Sequence, residues 1–125
     1  MILDTNALSA YADGVPAVVA MVDAAPSVEV PVIALGEYAF GIEGSRRAVA
    51  YREWLVEFVE VSRVLTITKE TAAQYAQARV ELKLAGSPIP ANDLWIAALA
   101  RQHRLPILSR DRHFDSVKGI RRIGW

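Results

Sequence analysis

At 125 residues, the chain is the size of one ordinary domain and can close a single core without covalent staples. Cysteine is absent, which excludes disulfides and thiolate metal sites and fits a reducing, cytoplasmic setting. Fourteen basic and fourteen acidic residues cancel formally, but Arg101, Arg104, Arg110, Arg112, Lys118, Arg121 and Arg122 crowd the last quarter against only Asp111 and Asp115.

Residues 1–3 read as a short apolar strand, followed by a helix to about Ala12 that Thr5 or Asn6 can cap and Asp13-Gly14 ends. Residues 15–24 form a second helix with Pro16 in its first turn. The β-branched run 28–33 is a strand, and a short helix over 35–42 places Glu37 in its first turn. Residues 46–61 carry a helical stripe of Val49, Leu55, Val56 and Val59 beside Trp54, and 64–67 is a third strand. Thr68 then caps a long helix that stops at Ala85-Gly86. A stiff loop with Pro88 and Pro90 leads into an apolar helix over 91–103, with Asp93 in its first turn. Strands at 106–108 and 120–123 flank a turn at 111–114.

Strands separated by helices argue for a parallel α/β sheet covered on both faces, in one domain over residues 1–125. There is no internal repeat, low-complexity segment or linker. No apolar run reaches the roughly 18–20 residues of a membrane span, and the acidic LDTN directly after the first apolar residues argues against a signal peptide. The hydrophobic content of 53% therefore points either to a large core or to a surface covered by a partner protein.

Four acids stand at separate junctions of this pattern: Asp4 in MILDTN, Glu37 in ALGEYAFG, Asp93 in IPANDLWIAALA and Asp111 in LPILSRDRHF. Asp4 and Asp111 follow strands, and in open α/β sheets ligands bind beyond the carboxyl ends of strands. Glu37 and Asp93 lie where a helix dipole favours a carboxylate. Taken singly, each has a structural reading as a cap, a turn residue or a helix-start acid. Taken together on one rim, they are the ligand set of a hard divalent cation such as Mg²⁺ or Mn²⁺, and phosphodiester hydrolysis is the chemistry such a set performs. The basic C-terminal quarter would draw a phosphate substrate toward carboxylates that otherwise repel it.

These four segments, in this order and over nearly the whole chain, resemble the PIN-domain family, and within it the compact bacterial and archaeal toxins of the VapC type. The resemblance implies a parallel sheet of four to five strands, ordered 3-2-1-4-5 and sandwiched by helices. It implies a Mg²⁺- or Mn²⁺-dependent endoribonuclease acting on transfer or ribosomal RNA, as a homodimer restrained by a small antitoxin protein. Asp4, Glu37, Asp93 and Asp111 match the family's acids, Thr5 and Asn6 match positions that orient them, and Ser109 matches a supporting hydroxyl. Asp115 is an alternative or supplement to Asp111 as the last acid. Arg46 and Arg47 match positions that meet phosphate or simply open an exposed helix, and Arg110 and Arg112 are further candidates for RNA contact. Trp95 is either core or a stacking surface for a base, and His103 and His113 lack the paired spacing of zinc ligands.

Other readings are weaker. A receiver domain needs two acids after its first strand, and an aspartyl phosphatase needs Asp where Asn6 stands. An inert PIN-like binding module and a housekeeping RNA-processing nuclease remain as alternatives.

Overall fold

The computed structural model describes residues 1–125. Five very short strands form its sheet: β1 (Ile2–Leu3), β2 (Glu29–Pro31), β3 (Arg63–Leu65), β4 (Ile107–Leu108) and β5 (Arg122–Ile123). All pairs are parallel, in the order β3-β2-β1-β4-β5, as the resemblance implies. The helices are α1 (Thr5–Ala12), α2 (Pro16–Asp23), α3 (Val32–Ile42), α4 (Ala48–Val61), α5 (Lys69–Leu84) and α6 (Ala91–His103), with a 3₁₀ helix at Arg112–Ser116.

Successive strand side chains point to opposite faces. Ile2, Leu3, Ile107 and Leu108 are all fully buried, so both faces of the sheet centre are covered. The first two crossovers step the sheet one way and the third steps back over β1. With right-handed connections, α1–α4 cover one face, and α5 and α6 the other. Because the direction reverses between β1 and β4, their carboxyl ends open a crevice there.

Local chemistry moved several boundaries. The β-branched run does not stay extended to residue 33: Pro31 ends the strand, and α3 begins at Val32. Glu37 therefore sits in the middle of α3 rather than in its first turn, and the helix dipole does not hold it. The cap of α1 is Asp4, not Thr5 or Asn6. Thr68 caps α5 as expected, in a reciprocal capping box with Thr71. Helix α4 starts at Ala48, so Arg46 and Arg47 precede it. Its buried face is aromatic, with Trp54 and Phe58 stacked at 4.9 Å, while Val49 and Val56 of the expected stripe face outward. Area explains the choice, since a Trp–Phe pair buries more surface than two valines.

One buried acid lies away from the crevice. Glu29, on β2, takes the Met1 amine at 2.5 Å and the Ser27 hydroxyl at 2.6 Å.

Candidate active site and family membership

The chain leaves β1 at Leu3 and turns directly into α1, so Asp4 is both a helix cap and a rim residue. Its Oδ1 accepts from the Ala7 amide at 2.7 Å, and its Oδ2 accepts a short hydrogen bond from the Ser109 hydroxyl. Ser109 follows β4 and is fully buried. Its Oγ also accepts from the Asp111 amide at 2.8 Å, so one hydroxyl ties the ends of both central strands together. Thr5 Oγ1 donates to Glu37 Oε1 at 3.0 Å and aims the α3 acid at the same rim. Asp93, in the first turn of α6, faces Asp111 across His113, whose Nδ1 lies 3.3 Å from Asp93 Oδ2 and 3.0 Å from Asp111 Oδ1. One donor atom from each of Asp93, Asp111 and His113 falls within 4.8 Å of the others.

The electrostatics tie in the remaining acids. Burial pushes the Asp4 carboxyl up to about 6, and the charges of Asp93 and Asp111 add to the rise against the pull of its Ser109 and Ala7 hydrogen bonds. Burial likewise raises Asp93, with Asp111 and Glu37 adding and His113 opposing. Each of the four acids thus feels at least one other. No lysine or arginine forms an ion pair with any of them; only His113 does. A set of hard oxygen donors, one of them buried and short of positive charge, fits Mg²⁺ or Mn²⁺.

Other expected residues sit elsewhere. Asp115 is turned away and holds Arg122 through a fork at 2.8 and 2.9 Å, and Arg122 also donates to the Ser109 carbonyl at 3.1 Å. That pair braces the loop from outside and leaves Asp111 as the last acid of the cluster. Asn6 is exposed on α1 and bonds to none of the acids. Trp95 stacks on Tyr75 at 3.9 Å, which is packing between α5 and α6. Arg46 and Arg112 are exposed, Arg47 lies over the Tyr51 ring at 5.1 Å, and Arg110 over Trp125 at 4.9 Å.

His113, set apart in sequence only by lacking the paired spacing of zinc ligands, is the side chain that bridges Asp93 and Asp111. The only signal was its place two residues after Asp111, which a 3₁₀ turn converts into a shared carboxylate contact.

Comparison with known proteins agrees with this fold. The family model of the PIN domain matches residues 1–120. Ribonuclease VapC5 of Mycobacterium tuberculosis is 30% identical over 94 residues, covering 74% of this chain and 70% of the relative. DNA-bound VapBC from Salmonella typhimurium superposes with a TM-score of 0.88 at 25% identity, over 99% of this chain and 96% of that one. FitAcB from Neisseria gonorrhoeae gives a TM-score of 0.86 at 29% identity, over 98% and 95%. With the sheet order and the family match over residues 1–120 in agreement, this chain belongs to the PIN-domain family and stands with its VapC-type members.

Proposed function

We propose that residues 1–125 form one nuclease domain: a Mg²⁺- or Mn²⁺-dependent endoribonuclease that is the toxin of a toxin–antitoxin pair and acts on transfer or ribosomal RNA in the cytoplasm. The observation that carries this reading is Asp4, buried to 3% exposure without a cationic partner and sensing the charges of Asp93 and Asp111. A buried charge is kept only where something compensates it, and a divalent ion is the compensation this donor set fits.

Asp4 and Asp93 are the direct ligands in this reading, with Glu37 and Asp111 completing the charge. A bound divalent ion supplies Lewis-acid chemistry, lowering the pKa of water and offsetting charge on the phosphate. The Ser109 hydroxyl fixes one Asp4 oxygen and the Ala7 amide the other, so the carboxylate cannot rotate out of place. Thr5 does the same for Glu37. The His113 side chain, half exposed, lies between Asp93 and Asp111 and offers a further donor atom beside theirs. Arg46, Arg47, Arg110 and Arg112 supply positive charge for RNA phosphates around an acidic centre.

Relatives named as ribonuclease VapC5, VapBC and FitAcB support the enzyme class and a protein partner. The surface supports the partner as well. Eight large hydrophobic side chains are exposed, among them Phe40 at 83% and Val32 at 42%. These two lie eight residues apart on α3 and share a face. A homodimer that carries a small antitoxin would cover such surfaces. No helix is long and apolar enough to cross a membrane.

Purified protein with Mg²⁺ or Mn²⁺ is expected to cut unfractionated tRNA or rRNA into discrete fragments, and EDTA to stop it. An inert binding module would cut nothing, and cutting that continues in EDTA would remove the metal from the account.

A further inference from the structure

Beside the acids, a groove runs outward between α1 and α3. Its two banks have the same period. Thr5, Ser9 and Asp13 line one at four-residue spacing, and Glu37, Gly41 and Ser45 line the other. Side chains four apart share a helix face, so one bank follows α1 from Thr5 to its C-cap Asp13 for about 12 Å at 1.5 Å per residue, while the other follows α3 from Glu37 and runs past the helix end at Ile42 to Ser45. It encloses about 330 Å³. The Thr5–Glu37 hydrogen bond closes its inner end at the acid cluster. At the outer end Tyr51 Oη donates to Asp13 Oδ1 at 2.7 Å, and exposed Arg46 and Arg47 stand just beyond Ser45. Nothing lies within 4 Å of where a Gly41 Cβ would be, so the middle of the groove is open.

Its wall holds an orphan. The Tyr38 side chain is 4% exposed, and its hydroxyl is buried without any hydrogen-bond partner. Buried polar groups are nearly always paired, and one that is not calls for a missing partner.

We propose that this groove binds a ribose next to the scissile phosphate and reads its 2′-hydroxyl, with Tyr38 and Ser9 as the reading groups. The inference rests on the ribonuclease reading of the acid cluster and adds what makes the substrate RNA rather than DNA. A phosphate is a poor occupant, because Glu37 and Asp13 would repel it. A base is a poor occupant too, because Arg47 already covers the Tyr51 ring and the buried Tyr38 ring packs edge-on against Tyr51 and Trp54. An apolar protein segment would leave Ser9 and Tyr38 without partners. A neutral sugar hydroxyl, both donor and acceptor, matches hydroxyl and carboxylate groups, and is the feature that separates RNA from DNA. The flanking phosphates would then lie toward the acid cluster on one side and Arg46 and Arg47 on the other.

The test is binding, measured separately from cutting. Asp93→Asn protein comprising residues 1–125 is titrated into a fluorescent single-stranded RNA oligonucleotide and into its 2′-deoxy counterpart of identical bases. Ribose should be preferred about tenfold, the scale of one or two hydrogen bonds. Tyr38→Phe combined with Ser9→Ala should bring that preference down to about twofold or less. Tyr38→Phe removes only an unpaired hydroxyl, so the fold is expected to survive. Gly41→Val, which fills open space, should weaken RNA binding without lowering the melting temperature.

Equal binding of the two oligonucleotides overturns the proposal, as does a preference that survives the Tyr38 and Ser9 changes. Variants that alter self-association while leaving RNA binding untouched would also overturn it, by assigning the groove to a protein partner. Wild-type protein that cuts no RNA while the preference follows the groove residues would sink the nuclease reading and leave the groove standing.

Discussion

Asp4→Asn is expected to cut RNA roughly 10³-fold more slowly than wild type, a barrier change of about 4 kcal/mol, and Asp93→Asn to match it. The size follows from what each substitution removes. Asparagine keeps the shape of the side chain but not the charge that holds a divalent ion in place. Asp4→Asn should still fold, because its amide oxygen can take the Ala7 N–H and its amide nitrogen can donate to a rotated Ser109 hydroxyl. Asp115→Asn is the control: its carboxylate faces Arg122 rather than the cluster, and cutting should stay within a few-fold of wild type. Single-turnover cleavage with all three variants at saturating Mn²⁺ measures this. Equal losses at Asp4 and Asp115 would mean that the loop, and not the acid cluster, is what matters.

Removing metal should leave a fold that dislikes neutral pH. Asp4 has a carboxyl raised from 3.8 to about 6, chiefly by burial. The folded state therefore holds that proton more tightly than the unfolded chain. Its contribution to stability is fully present below the ordinary carboxylate range and is lost as pH rises through about 6. Asp93, also raised mainly by burial, acts in the same direction. Glu29 opposes them: burial raises it, but hydrogen bonds from the Met1 amine and Ser27 outweigh that and hold it low. Its contribution fades only as pH falls through and below the ordinary carboxylate range, outside the window where Asp4 changes.

The Asp4 shift is worth about 3 kcal/mol over its full range, and roughly half of that falls between about pH 5 and about pH 7.5. EDTA-treated protein should accordingly melt about 5 °C higher at the lower pH. Millimolar Mn²⁺ should raise the melting temperature at the higher pH by a comparable or larger amount through mass action. Asp93→Asn should raise the metal-free melting temperature and lose most of the response to Mn²⁺. Thermal melts of wild type and variant, at both pH values and with and without Mn²⁺, read all of these. A wild-type melting temperature that falls from neutral to mildly acid pH would reverse the sign assigned to Asp4.

The frame of this protein was readable from sequence because its punctuation is local. Thr68 before a long helical pattern, Asp13-Gly14 after a short one, and Pro90 ahead of α6 fix their boundaries through caps and breakers that act within a turn. Asp4 and Asp111 were legible as rim residues because each follows a strand in the pattern. What escaped depended on contacts far apart in sequence. Val32 and Ile33 are β-branched and read as strand, but Pro31 and the packing of Ala34, Tyr38 and Ile42 made them helix. Glu37 reaches the rim through Thr5, 32 residues away, rather than through a helix dipole. The choice between Asp111 and Asp115 was open in sequence, and Arg122, seven residues beyond Asp115, claims it in the structure. The orphan hydroxyl of Tyr38 leaves no trace in sequence at all, since only the packed fold shows a partner to be missing.

The convergence of Asp4, Glu37, Asp93 and Asp111 on a divalent ion is tested most directly by calorimetric titration of Mn²⁺ into EDTA-stripped, dialysed protein at neutral pH. Wild type and Asp115→Asn should bind one or two ions with closely similar affinity, whereas Asp4→Asn and Asp93→Asn should each lose at least about tenfold in affinity, the scale of losing one carboxylate from a metal site. Absent binding in wild type at millimolar Mn²⁺, or binding that none of these substitutions weakens, would mean that the four acids do not form one metal site.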